Sequence, residues 1–374
     1  MAEISQISLE NKIKEVAKET GAALVGITSK DRLVGNECSD PSYYLPSAES
    51  VIGFAVPLDK EIIRNYLKKT DLSAQREQSM HEGRLYHKLQ DIGAALKEFL
   101  ESEGYEAVNC KVNMDYRKYK RRRKDLETLK QLFELVQNEP DHPLVQALKS
   151  DKIKLVNPNL TPYISLRYVA VASGIGRLGW SGNLVTPEYG ARVYLGAVVT
   201  NAKLKPDPYV QEVPCNRCKV CVSTCQGAFF DAKESQKVKI GDIEEEIGKK
   251  HVLAKCILSC GGLTGQSKYK TWSTWSPWRV DIPDNDAEAQ KVLQQTFRDH
   301  ILTGGAKAKN ILRLTTDTHL GFGKEVKPVE NFDVTCGVCQ LICWETEEER
   351  RKNAQLLHSS GEVVLENGKK VIKK

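Results

Sequence analysis

Two hydrophobic periods share the first hundred residues. Ile4, Ile7, Ile13 and Val16 recur at threes or multiples of three, which predicts one face of an opening helix that ends at Thr20-Gly21. GAALVGIT, from Gly21 to Thr28, is a short continuous apolar run and predicts a buried strand. A second strand is predicted over Ser50 to Val56, stopped by Pro57. A long helix follows from about Glu82 to Leu100 and is closed by Glu103-Gly104. Strand and helix alternate here.

The pattern then changes three times. Residues 116–150 are polar and helical, opening on the basic run Tyr116 to Lys124 and closing near Pro140 to Pro143, and read as an inserted helix or hairpin. Residues 165–200 are apolar, Gly-rich and poor in charge, which suits a core or a cofactor cradle. Pro206-Asp-Pro208 marks a boundary, and a Cys-rich part follows. The division expected is 1–205, with 116–150 inserted; 206–347, with 261–335 inserted; and a tail, 348–374, of charged helix and hairpin around Asn367-Gly368. Trp272, Trp275 and Trp278 lie in the long insertion. They are placed to shape an apolar pocket or to cover buried groups, and covering is the more frequent role.

Composition narrows the chemistry. The chain has 374 residues, 40% of them hydrophobic, and a formal charge of +6 that comes largely from local runs, so charge alone does not argue for nucleic acid. The opening residues contain no apolar stretch behind a basic head, and nowhere do about 18 apolar residues run together. A cytoplasmic protein with no membrane span is expected, and its 11 Cys are expected as reduced thiolates holding metal rather than disulfides.

The cysteine spacing is specific. Cys215, Cys218, Cys221 and Cys225 form Cys-x2-Cys-x2-Cys-x3-Cys, and Cys336, Cys339 and Cys343 form a second run. Three thiolates on one short loop reach three irons of a cubane, while the fourth Cys serves a neighbouring cluster. Two 4Fe-4S clusters follow. Crossed ligation assigns Cys215, Cys218, Cys221 and Cys343 to the first, and Cys225, Cys336, Cys339 and one more thiolate to the second. That last ligand is Cys256 or Cys260. Cys256 is preferred because it stands in the apolar stretch HVLAKCIL. Cys38 and Cys110 read as structural thiols. Zinc fits poorly, since a compact run of four Cys does not suit one tetrahedron.

The order LP-SAESVIGFAV, EGRLYHKL, GIGRLGWSGNLVTPEYGARVYLGAVVT and then the Cys runs resembles cobalamin-dependent epoxyqueuosine reductases and reductive dehalogenases over about residues 20 to 345. The resemblance implies the class α+β, with a nitroreductase-like domain holding a base-off corrinoid, followed by a ferredoxin-like domain with the clusters. It points to Gly179, Trp180, Ser181, Gly182, Thr186, Pro187, Tyr189 and Arg192 as corrinoid contacts. Small residues suit close approach of backbone to a flat macrocycle; the plainer reading is that the glycines allow tight turns beside a sheet. Departures are plain. The family's acidic proton donor, in Gly-Arg-Asp-Tyr-His, is here Leu85, and both Cys runs lack their usual following proline, with Gln226 and Trp344 instead. The short tail and the solvated-face reading of the basic run weaken a tRNA substrate. Asp317-Thr-His319-Leu-Gly321-Phe-Gly323 nearly imitates a separate corrinoid motif, off by one, and reads as coincidence.

The leading expectation is an oxidoreductase in which ferredoxin or flavodoxin reduces the clusters, they reduce the corrinoid, and a small substrate is cleaved reductively as in dehalogenases. Tyr189, Tyr86 and His87 are candidate proton donors. Competing readings are an electron-transfer or activator protein without a corrinoid, an epoxyqueuosine reductase-like tRNA-modifying enzyme, and a flavin-dependent reductase.

Overall fold

The strand Ser50–Pro57 lies inside a four-stranded antiparallel sheet ordered Leu24–Ser29, Ser50–Pro57, Val193–Thr200, Ala107–Asn109. This computed structural model describes residues 8–111, 123–153, 162–268, 270, 272–315 and 337–374. In the central pair Gly53 stands opposite Ala197 and Val56 opposite Tyr194. Side chains along a strand alternate between faces, so Ile52, Phe54 and Val56 enter one core while Val51 and Ala55 enter another. Burial on both faces is the reason this strand reads as one unbroken apolar run.

The first core is closed by helices Leu9–Glu19 and Ser73–Ser102, which contribute Ile13, Ala17, Leu89, Ile92 and Leu96. Each such side chain, fully buried, stabilises the fold by about 1.5–3 kcal/mol. The opening helix starts where Ser8 accepts a hydrogen bond from the Asn11 N–H, and it stops at Thr20, followed by Gly21 at φ 104°. The long helix begins at Ser73, a full two turns before the predicted start, because the polar residues of its first turns gave no apolar period to read.

The opposite sheet face is covered by helix Leu166–Ala172 and by a hairpin of strands Phe230–Ile240 and Ile243–Lys250. Ile240 and Ile247 of the hairpin reach that core. Glu245 anchors it: the buried carboxylate accepts from Arg177 Nε at 2.7 Å and from the Leu178 N–H at 3.1 Å.

Two more cores lie beyond the sheet. In one, Leu58, Ile63 and Leu67 pack with Trp272, Trp275, Val220, Ile342 and Trp344, and the Trp275 indole donates to the Tyr66 carbonyl at 3.1 Å. In the other, Leu132, Leu148, Leu258, Leu293 and Phe297 join helices Arg123–Asn138, Pro143–Lys149, Leu253–Cys260 and Asp286–Thr303. Helices Arg123–Asn138 and Pro143–Lys149 therefore pack on Asp286–Thr303. The tail forms helix Glu347–His358 and the hairpin Glu362–Glu366 with Lys369–Lys373, turned by Asn367 and Gly368 at positive φ. Among the described residues no helix is long and apolar enough to cross a membrane.

Candidate functional site

Cys215, Cys218 and Cys221 sit on a loop that enters the short helix Val220–Ser223. Arg217 and Lys219 adopt left-handed backbone at φ 56° and 58°, a conformation that non-glycine residues hold only where the surroundings enforce it. Cys343 follows another short helix, Val338–Leu341. All four sulfur-bearing residues line one small cavity, with Gly179, Trp180, Ile342 and Arg350 in its wall. The Trp180 N–H donates to Cys215 Sγ at 3.5 Å. Arg350 is buried, donates to the Trp344 carbonyl at 2.6 Å and holds a guanidinium nitrogen 3.9 Å from Cys218 Sγ.

Burial pushes the Cys343 thiol up to about 11, and the neighbouring Cys215 and Cys218 add to that rise. Cys221 is raised further by burial and by Cys343, Cys339, Cys215 and Cys218. Cys221 and Cys343, enclosed thiols that resist ionisation, become thiolates more readily when positive charge is placed among them. Among the described residues no group of His, Cys, Asp or Glu closes tightly on a single metal ion. The thiols border a cavity instead.

A second group lies beside it. The Phe229 N–H donates to Cys225 Sγ at 3.2 Å, and Asn183 Nδ2 donates to Cys339 Sγ at 3.4 Å. Burial raises Cys225, and Cys256 raises it again. Cys256 and Cys260 occupy one face of helix Leu253–Cys260, their sulfurs 3.6 Å apart. The Cys260 thiol holds Cys256 below its ordinary value. Arg167 and Lys250 supply positive charge near Cys256. Cys336 lies outside the described residues, as do Asp317 to Gly323 and most of the basic run from Tyr116.

The Gly-rich segment is packed against these groups. Gly179, Trp180 and Ser181 border the first cavity, and the Trp180 indole donates to the Asp231 carbonyl at 2.9 Å. A Cβ on Gly179 would meet Val185 at 2.7 Å, one on Gly182 would meet the Lys250 side chain at 3.2 Å, and one on Gly190 would meet the Cys343 carbonyl at 2.5 Å. Thr186 is buried, accepts from the Tyr189 N–H at 3.0 Å and donates to the Gly190 carbonyl at 3.3 Å. Arg192 is buried and donates to the Leu58 carbonyl at 2.7 Å. Pro187 is exposed.

The three candidate proton donors are not brought together. Tyr86 is buried in the core on one sheet face, stacked on Tyr194 with ring centres 4.7 Å apart, whereas Tyr189 packs on the other face beside the Arg192 guanidinium. His87 is half-buried on the Tyr86 helix.

A carboxyl was missed. Glu82 is half-buried as a residue, but its carboxyl is enclosed, and burial pushes it up to about 7 against the hydrogen bonds of Gln78 and Tyr194. Its signal was present: Glu82, Tyr86 and Leu89 fall at i, i+4 and i+7, so Glu82 shares the buried face of its helix.

No family model matches the chain. The epoxyqueuosine reductase of Bacillus anthracis is 35% identical over 80 residues, 20% of this chain and 21% of that protein. That of Listeria monocytogenes is 45% identical over 60 residues, 15% of each. The chain is similar to epoxyqueuosine reductases. The match spans about one fifth of the length of the Bacillus anthracis relative. Among solved structures, epoxyqueuosine reductase with an epoxyqueuosine-modified tRNA-Tyr stem loop aligns with 93% of this chain and 80% of its own, at TM-score 0.42 and 17% identity. A reductive dehalogenase described for B12-dependent dehalogenation aligns with 83% of this chain and 37% of its own, at TM-score 0.45 and 14% identity. At these scores the α+β architecture stands on the elements described above. The family resemblance read from the motifs is the one these relatives return.

Proposed function

We propose that the chain is an iron–sulfur oxidoreductase whose two 4Fe-4S clusters carry electrons from a low-potential donor, a ferredoxin or flavodoxin, to an acceptor. The observation that carries this reading is the convergence of Cys215, Cys218, Cys221 and Cys343 on one cavity from two distant segments. A cubane supplies the cationic irons that such a buried thiol set requires. Crossed ligation places the second cluster on Cys225, Cys336, Cys339 and Cys256, with Lys250 and Arg167 beside it. The clusters relay single electrons; the protein holds the thiolates, excludes water with Trp272, Trp275 and Trp344, and places charge near the sulfurs.

A corrinoid, when bound, would supply the reducing cobalt centre of a B12-dependent reductase such as the solved dehalogenase. The residues assigned to it do not fit one in this structure. Gly179, Trp180, Ser181, Gly182, Thr186 and Arg192 are all buried, and the close approach available at Gly179, Gly182 and the neighbouring Gly190 is taken by the chain's own Val185, Lys250 and Cys343. The electron-carrier reading therefore ranks ahead of the corrinoid reading, and ahead of a small-substrate dehalogenase or a tRNA-modifying enzyme.

Anaerobic reconstitution with iron and sulfide tests the reading, followed by incubation with hydroxocobalamin and gel filtration. The expected result is about eight irons per chain and no retained cobalt. Fewer than about four irons would sink the cluster assignment. One cobalt held per chain with a base-off spectrum would restore the corrinoid reading.

A further inference from the structure

Glu82 projects from helix Ser73–Ser102 toward the end of strand Val193–Thr200. Gln78 Nε2 donates to Glu82 Oε1 at 3.0 Å, and the Tyr194 hydroxyl also bonds the carboxyl. Tyr194 stacks on Tyr86. Gln78 is 2% exposed, yet its Oε1 is buried with no hydrogen-bond partner. Such an orphan acceptor is unfavourable unless another state of the site fills it.

The orphan has a use if Glu82 carries a proton. An amide and a phenol each donate or accept, so Gln78 and Tyr194 can donate to the carboxylate or, with the amide turned over, accept from the carboxylic acid. A carboxylate kept for structure is ordinarily paired with a cation. Here the interactions that bear on the carboxyl are burial, Gln78 and Tyr194, none of them charged.

The surrounding titratable groups point elsewhere. On the same helix His81 accepts from the Asp59 N–H at 2.9 Å and is held low by burial and by Arg84. From helix Lys60–Lys68, Lys60 and Arg64 pair with Glu345 and Glu349 and lie over Trp344, while the Tyr66 ring lies tilted against Trp275. From helix Leu9–Glu19, Lys12 pairs with Glu103 at the far end. Strand Ser50–Pro57 carries no ionisable side chain. Tyr194 alone faces Glu82 from the sheet, and it continues toward the cysteines: Gln340, between Cys339 and Cys343, donates to the carbonyl of Val193 at 2.7 Å, and Tyr194 packs on the core that holds Ile342 and Trp344.

We propose that Glu82 is the proton partner of the first cluster, taking up one proton from solvent as the cluster receives one electron and releasing it through the Tyr194 hydroxyl when that electron moves to the acceptor. The inference rests on the iron–sulfur reading. Charge balances at each step: the donor supplies the electron, water supplies the proton, and the acceptor receives both. Burial holds the carboxyl up at about 7, so coupling acts above that value, where the carboxylate must be protonated on reduction.

EPR-monitored redox titration at several pH values, on the wild-type chain and on Glu82→Gln and Tyr194→Phe, reads this directly, with infrared difference spectra of the wild type recorded on dithionite reduction. The expected wild-type potential is level below about pH 6 and falls as pH rises above about 7, while Glu82→Gln is flat. Reduction at pH 8 should raise a carboxylic C=O band in the wild type, which decides the matter even if Glu82→Gln fails to fold. A wild-type potential independent of pH, an unchanged slope in Glu82→Gln, or no carboxylic band would overturn the proposal. Absence of any cluster signal would instead overturn the iron–sulfur reading.

Discussion

Cys215, Cys218, Cys221 and Cys343 line a cavity with an indole, a guanidinium and the Lys219 side chain, whereas Cys225, Cys256 and Cys339 lie among Asn183, Arg167 and Lys250. Cluster potential follows net charge, hydrogen bonds to sulfur and exposure. Two cations and two N–H donors near the second set stabilise the reduced, more negative state there. The first set has two cations, Arg350 and Lys219, at its cavity and a backbone donor to Cys215 Sγ. In the proposed reading the two potentials would then differ through the N–H donors and the enclosure of each set rather than through the number of cations.

The largest effect expected on this contrast is structural. Arg177 and Glu245 fasten the hairpin that walls the Trp180 side of the first cavity, and Arg177→Ala leaves a buried carboxylate without its cation. A loss of about 3–5 kcal/mol in urea unfolding is predicted, and a loss under about 1 kcal/mol would show that the hairpin is not held this way. Lys250→Met should lower the second potential by on the order of 50 mV and leave the first unmoved; equal shifts of both would break the assignment of Lys250 to one site.

A smaller effect concerns pH. The Glu82 carboxyl lies above its ordinary value in the folded chain, so its contribution to stability is full below about 4.5 and is lost as pH rises through about 7. Urea midpoints measured from pH 5 to 8 should fall more in the wild type than in Glu82→Gln; parallel curves would place the carboxyl in water. The smallest effect is at the surplus thiol. Cys260→Ala should retain the full iron content and Cys256→Ala should lose iron from the second cluster, the reverse pattern exchanging their roles.

Much of this was legible in the chain. Ser50 to Val56 read as a strand because both its faces are buried, and Asn367-Gly368 announced the tail hairpin through turn chemistry. The cysteine spacing made the first site readable because three thiols come from one loop. The hairpin Phe230–Lys250 was not readable: its charged residues mask the few that matter, Ile240, Glu245 and Ile247, which become core only against a distant helix and strand. Glu82 escaped for a related reason. The motif comparison bears on Leu85 alone, whereas the helix carries its buried acid, Glu82, one turn earlier. Tyr86 and Tyr189 were candidates by residue type alone, and they pack in cores on opposite faces of the sheet.

The central claim is that two separate clusters exist and that Cys343 crosses over to the first. EPR of dithionite-reduced wild type and Cys343→Ala, each reconstituted anaerobically, tests it most directly. The wild type should show a spin-coupled spectrum from two neighbouring reduced cubanes with about eight irons, and Cys343→Ala should keep a single uncoupled signal with about four. A coupled spectrum that survives Cys343→Ala, or a wild type with one signal, would contradict the account.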